Sequence, residues 1–240
     1  VMSQVLDEID RWLSARDGIC RYIVATGMHG ILEAHKRSEF RLVIKEASLL
    51  VPDGISLVII ARAKKINVRK RVTGSDLMWN MCARAEKNGQ RMFFYGDSED
   101  TLKQLILKLL EKFPRLIIAG IHSPPFRALT IEEDEQEVKM INDSGADIIW
   151  VGLGLPKQEE WIYHHRNRLN VPVAIGVGAA FKFVSGRVRR APSWIGESGF
   201  EWLWRFIQEP RRVWRRVGID GPYFIFCVLV ELVGNKLKNR

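Results

Sequence analysis

Asp53 stands in Val51-Pro-Asp-Gly54, directly after an apolar run. A carboxylate at the carboxyl edge of a sheet is well placed to act as a general base. Pro-Asp-Gly is also a common turn sequence, and taken locally the turn is the more ordinary role. A second segment, Val151-Gly-Leu-Gly-Leu-Pro-Lys-Gln-Glu-Glu-Trp161, runs from an apolar strand into an amphipathic stretch through two glycines and a proline. Such a turn leaves backbone N–H groups unpaired at a helix N-terminus, where they suit a phosphate. Gly152 and Gly154 would form the turn, with Gln158 and Glu159 in the first helical turn facing the same crevice. Arg71-Val-Thr-Gly-Ser-Asp76 leads into a helix capped by Ser75 or Asp76, so Arg71 and nearby amides could surround an anionic group. The plain alternative is a solvated arginine before an ordinary cap. His29 follows Thr26-Gly27 at a strand end and either reaches the crevice or is structural.

Other chemistries find little support. The five histidines form no metal constellation, and the adjacent His164 and His165 point to different sides of a helix. No Asp-x-Asp pair follows a strand; Asp97 and Glu99 look like a helix start. A diphosphate leaving group would therefore rely on arginines and helix N-termini. Gly-x-Gly-x-x-Gly and Gly-Lys-Ser/Thr are absent, as is a Gly-x-Ser-x-Gly elbow. Cys20, Cys82 and Cys227 are odd in number and widely spaced, which fits neither a disulfide framework nor zinc and points to a reducing cytosol. Thr130-Ile-Glu-Glu133 has capping-box spacing, so the acids from Glu132 to Glu137 complement a helix dipole rather than hold a metal.

These residues need a scaffold that gathers strand ends. Apolar runs at 21–25, 48–51, 91–95, 116–119, 147–151 and 173–177 alternate with helical patterns at 29–38, 75–88, 98–112, 130–143 and 156–168. That rhythm predicts an α/β fold, a Rossmann-like, mainly parallel sheet with helices on both faces and a helical C-terminal appendage. Ligands of such sheets bind beyond the carboxyl ends of the strands. Val1 to Ser14 reads as an amphipathic helix and not a secretory signal, and the opening Val-Met-Ser suggests that an initial segment is missing.

The expected division is a catalytic core over 1–190 and a basic, Trp/Arg-rich appendage over 191–240. From Arg187 onward stand 11 Lys and Arg against 5 Asp and Glu, a net +6 of the chain's +9. Trp194, Trp202, Trp204 and Trp214 lie there among Arg205, Arg211, Arg212, Arg215 and Arg216. This asymmetry points to an anionic surface, nucleic acid or acidic lipid. The apolar segment Pro222 to Val233 is too short to span a bilayer, which takes about 20 residues. It would lie in an interface or pack on the core.

Together these segments resemble the WecB/TagA/CpsF family of bacterial glycosyltransferases, glycosyltransferase family 26. The resemblance rests on the order and spacing of Thr26-Gly-Met-His-Gly30, Pro52-Asp-Gly54, Arg71-Val-Thr-Gly-Ser-Asp76, Gly152-Leu-Gly-Leu-Pro-Lys-Gln-Glu159 and Gly176-Val-Gly-Ala-Ala-Phe181. It continues through Arg190-Ala-Pro192, Glu201-Trp202 and Arg205 to Pro210. Met28 and Lys182 depart from it, standing where many members have Asn and Asp.

The resemblance implies an inverting transferase without a required metal or other cofactor. It would move a sugar from a UDP-sugar to a polyprenyl-diphosphate-linked saccharide in cell-wall or exopolysaccharide synthesis. Asp53 becomes the base, with Thr26 beside it, and His29 takes over part of the polar role of the Asn that Met28 replaces. Arg71, Gly152, Gly154, Gln158 and Glu159 would hold the donor. Arg205, Arg211, Arg212, Arg215 and Arg216 would meet lipid phosphate or the acceptor diphosphate. The protein would then be cytoplasmic and peripheral on the inner face of the cell membrane, without a nucleic-acid partner, and able to self-associate through an uncovered apolar face. The rival classes are a nicotinamide-dependent oxidoreductase and a non-enzymatic membrane or nucleic-acid binding module.

Overall fold

The run Ile148–Gly152 is buried along its whole length, as a strand covered by helices on both faces must be. It is β5 of one sheet, together with β1 (Arg21–Thr26), β2 (Leu49–Pro52), β3 (Arg91–Gly96), β4 (Ile117–His122) and β6 (Val173–Gly176). Every strand pair is parallel, and the strand order is β2-β1-β6-β5-β3-β4. The computed structural model describes residues 2–64, 66, 68, 70–192, 195, 201–208 and 210–238; for 201, 202, 205, 212, 213, 216, 217 and 231–238 it describes the backbone alone.

Side chains alternate across the sheet and so divide the core into two layers. Met92 and Phe94 of β3 join one apolar cluster, and Phe93 and Tyr95 join the other. The first layer holds α1 (Met2–Ala15), α5 (Gly74–Asn88), α6 (Glu99–Lys112) and α9 (Ala180–Val184), through Ile9, Leu77, Met81, Leu105 and Phe181. The second holds α2 (Met28–Lys36), α3 (Ser38–Lys45), α7 (Ile131–Asp143) and α8 (Lys157–His165), through Ala34, Phe40, Val43, Ile141 and Ile162. The neighbours β5 and β3 therefore lead to helices on opposite faces, which opens a crevice at their carboxyl ends.

Local chemistry sets most boundaries. Thr130 and Glu133 form the full capping box at the start of α7. Ser98 caps α6, and Gly89 in the left-handed region closes α5. The pattern at 29–38 is α2, which extended Arg37 ends, and a further helix, α3, begins at Ser38 and runs beyond the expected element. The run Ile55–Ala63 forms α4, which no expected element covered. Helix α5 is capped by Thr73, not Ser75 or Asp76, since the Thr73 hydroxyl accepts from Asp76 N–H.

Beyond α9 come α10 (Glu201–Gln208), α11 (Pro210–Arg215), a π turn (Arg216–Asp220) and α12 (Gly221–Lys238). The segment Pro222 to Val233 lies inside α12. No helix among the described residues is long and apolar enough to cross a membrane.

Candidate active site

Parallel pairing of β1 with β2 sets Thr26 opposite Pro52, and the next residue's N–H, that of Asp53, donates to the Thr26 carbonyl at 2.8 Å. Asp53 Oδ1 in turn accepts from the N–H of Gly74, the first residue of α5, at 3.2 Å. Asp53 thus stands between the end of β2 and α4, with its carboxylate at the sheet's carboxyl edge beside the start of α5. Thr26 is buried beneath α2. A Cβ on Gly30 would fall 1.9 Å from Thr26 Oγ1, so only glycine lets α2 lie this close.

Arg71 lies just before this α5 start, and its positive charge helps to lower the Asp76 carboxyl. The larger cause is the hydrogen bonding of Arg190, whose guanidinium holds both carboxyl oxygens of Asp76. Gly74 is also pressed onto β6's exit, where an added Cβ would stand 3.1 Å from the Val177 carbonyl oxygen.

Gln158 occupies the centre of that exit. Its side-chain Oε1 accepts from Gly154 N–H at 3.1 Å and from Gly178 N–H at 2.8 Å. The Gly154 amide, expected to face a phosphate, is thereby engaged by a protein side chain. Gln158 Nε2 donates to Glu159 Oε1 at 2.8 Å, and both residues are buried rather than displayed in a crevice. Burial raises the Glu159 carboxyl from its ordinary 4.5 to about 7, with the Gln158 bond opposing the shift. Gly152 has no room for a side chain, because a Cβ would meet the Phe181 ring at 2.5 Å.

A cleft of about 990 Å³ opens over the carboxyl ends of β3, β5 and β6, with Asp97, Gly152, Gly154 and Gly178 on its floor and walls. One wall is aromatic. Trp161 stacks between Tyr95 and His165, with ring centroids 4.4 Å apart on each side. Tyr95 donates to Glu137 Oε2 at 2.5 Å, and His165 is bonded to Asp134 at 2.6 Å. Burial raises the Asp134 carboxyl, but the hydrogen bonds from His165 and Arg168 outweigh it and leave it below the usual range. Lys157, Lys182, Arg127 and Arg168 bring positive charge to the rim. Arg127 is paired with Glu133, and Arg168 with Asp134.

Among the expected site residues, Thr26 and Asp53 come together at one end of this edge. Gly152, Gly154, Gln158 and Glu159 come together at the other, and Gly74 on Val177 connects the two. His29 Nδ1 lies 3.5 Å from Asp220 Oδ2, and Lys36 Nζ lies 3.1 Å from Oδ1 of the same residue. This contact docks the start of α12 on α2, with Phe224 buried.

Arg211 and Arg215 sit exposed on α11, and the Arg215 guanidinium lies 5.8 Å from the Trp214 ring centre. Trp214 is half exposed, whereas Trp204 Nε1 donates to the Arg189 carbonyl at 3.2 Å. On α12, Ile225, Phe226, Leu229 and Val230 are exposed. Trp194 and the side chains of Trp202, Arg205, Arg212 and Arg216 lie outside the described residues. Among the described residues no group of three or more His, Cys, Asp or Glu could hold a metal ion.

Sequence reasoning missed Tyr95, Asp134, Lys157 and Arg190 as neighbours of the site. The spacing of Trp161 and His165 placed both on α8 but said nothing of Tyr95, which β3 delivers from 66 residues earlier. Arg190 was visible within Arg190-Ala-Pro192, without a partner to explain it.

The profile described as "Glycosyl transferase WecG/TagA/CpsF family" matches residues 1–238. An N-acetylglucosaminyldiphosphoundecaprenol N-acetyl-beta-D-mannosaminyltransferase of Bacillus subtilis (strain 168) is 31% identical over 198 residues, covering 82% of this chain and 75% of the relative. The protein of the same name from Staphylococcus aureus (strain MW2) is 27% identical over 238 residues, 99% of this chain and 90% of its own length. The cleft at the carboxyl edge, the Thr26–Asp53 contact and this match along nearly the whole sequence converge, and the chain belongs to the WecG/TagA/CpsF family of glycosyltransferases.

Proposed function

We propose that the protein transfers a sugar from a UDP-sugar to a saccharide carried on polyprenyl diphosphate, with inversion and without a metal ion. The observation that carries this reading is Asp53, whose carboxylate accepts from Gly74 N–H and whose own N–H donates to the Thr26 carbonyl, on the carboxyl edge of the sheet that bears the cleft further along. The relatives' names supply the acceptor class and a β-linked product, which fits inversion of an α-linked donor.

The reaction is a single displacement. An acceptor hydroxyl attacks the anomeric carbon, the bond from that carbon to the diphosphate oxygen breaks, and Asp53 takes the hydroxyl proton. UDP leaves with its charge met by Arg71 and by the lysines at the cleft rim. Gln158 acts by holding the loops after β5 and β6 at the cleft floor, and Glu159 by orienting Gln158. The aromatic wall offers a stacking face to the base of the nucleotide.

The chain works at a membrane surface in this reading. Exposed Arg211, Arg215 and Trp214 and the apolar face of α12 suit anionic headgroups on the cytoplasmic side. His29 serves there as a docking residue for α12. A UDP-release assay across donor sugars, with a polyprenyl-diphosphate saccharide as acceptor, tests the whole proposal. Asp53→Asn is expected to abolish turnover while UDP binding, measured by calorimetry, stays close to wild type. Near-normal turnover in that variant would overturn the base assignment.

A further inference from the structure

Arg190 makes more contacts with the start of α5 than a surface arginine needs. Its Nη1 donates to Asp76 Oδ1, while Nη2 donates to Asp76 Oδ2 at 2.7 Å and to Thr73 Oγ1 at 3.1 Å. Thr73 Oγ1 is itself the cap of α5, accepting from Asp76 N–H at 3.1 Å and donating to Asp76 Oδ2 at 2.7 Å. One guanidinium therefore holds both side chains that set where α5 begins. The residue between Thr73 and Ser75 is Gly74, whose N–H points at Asp53 Oδ1. Val72 N–H, one residue before the cap, donates to the Pro52 carbonyl at 2.8 Å, so the segment is stitched to Asp53's own strand end.

The preceding residue faces the other way. The Arg189 carbonyl accepts from Trp204 Nε1 at 3.2 Å and from Gln208 Nε2 at 3.0 Å, both on α10. Two consecutive residues thus join the C-terminal helices to the segment that aims Asp53. We propose that Arg190 is a positioning residue for Asp53, fixing the Thr73–Asp76 cap so that Gly74 N–H orients the carboxylate, and that Arg189 ties this setting to the placement of α10. A bidentate planar group is needed, since an ammonium cannot satisfy two carboxyl oxygens and a hydroxyl in one plane. The pair is partly exposed, with side chains 35% and 41% accessible. As an ion pair it adds little to stability, and its effect lies in geometry.

This inference rests on Asp53 being the base, and the test separates the two ideas. Arg190→Lys, Arg190→Gln, Asp76→Asn, the double variant Arg190→Gln with Asp76→Asn, and Asp53→Asn are compared in the UDP-release assay. UDP affinity and melting temperature are measured for each. The expected result is a fall in kcat of about tenfold or more for each Arg190 and Asp76 single variant, with KM for the donor and UDP affinity within about twofold of wild type. The double variant should be no slower than the worse single, because both changes break one unit. Asp76→Asn retains a carbonyl acceptor and serves if the Arg190 variants fold poorly. Unchanged kcat, a loss expressed in KM, or multiplying effects would overturn the proposal. If Asp53→Asn keeps its turnover, the base assignment fails; if Asp53→Asn is inactive and the Arg190 and Asp76 variants are not impaired, only the positioning role fails.

Discussion

Gln158 donates through its side-chain Nε2 to Glu159 Oε1 at 2.8 Å, and neither residue reaches solvent to any extent. That bond orients the Gln158 amide so that Oε1 faces the N–H groups of Gly154 and Gly178. The loops after β5 and β6 are thereby joined by one carbonyl oxygen at the floor of the cleft.

Gln158→Ala would remove the acceptor that the Gly154 and Gly178 amides share at the part-buried cleft floor. A lost hydrogen bond costs about 0.5–1.5 kcal/mol where water can replace the partner, so the variant should lose about 1–3 kcal/mol of unfolding free energy and bind UDP more weakly. Urea unfolding and calorimetry read the two effects. Wild-type stability in this variant would show that the clamp is dispensable.

Glu159 leads to a pH dependence of stability. Its carboxyl rises from 4.5 to about 7 on folding, chiefly through burial. Between these values the folded protein keeps a proton that the unfolded chain has released. The group's contribution is therefore most favourable below the unfolded value and declines as pH rises to about 7, by about 3 kcal/mol in all. Glu159→Gln keeps an acceptor for Gln158 without titrating, so the variant should gain on wild type between about pH 5 and about pH 8. A stability difference that is constant across that range would refute a neutral buried carboxyl.

Lys157 and Lys182 border the cleft beside Gly154 and Ala179. Neutralising either to Gln should weaken UDP binding several-fold, and the deficit should shrink as salt screens the remaining attraction. Titrations at low and high ionic strength measure this. Equal affinity in wild type and variants at low salt would exclude a diphosphate role for these lysines.

At the C-terminal helices, charge reversal at Arg211 and Arg215 should reduce binding to vesicles containing anionic lipid by about tenfold or more, at about 1 kcal/mol per basic residue near the surface. Flotation with neutral and anionic vesicles checks the outcome. Retention equal to wild type on anionic vesicles would remove these arginines from the membrane contact.

The strands were legible because each is an apolar run, and for β3, β5 and β6 burial on both faces leaves such a run few alternatives. Helix α4 was not, since Ile55-Ser-Leu-Val-Ile-Ile60 has no clear apolar stripe and a short apolar run of this kind reads equally as a strand. The cap of α5 was misplaced by two or three residues, because Thr73, Ser75 and Asp76 are all good caps locally and the choice falls to Thr73, whose hydroxyl accepts from Asp76 N–H and is also held by Arg190.

By itself the sequence determined the parallel α/β architecture, the basic character of the C-terminal helices and the strand-end positions of Thr26, Asp53 and Gly152, all of which follow from local apolar patterning and turn chemistry. Tertiary structure alone decided that Gln158 turns inward to join two loops and that Tyr95 stacks on Trp161. It also decided that His29 meets Asp220 and that Arg190 reaches Asp76. Those contacts join residues far apart in the chain, and their partners are set by strand order and helix placement rather than by neighbouring sequence.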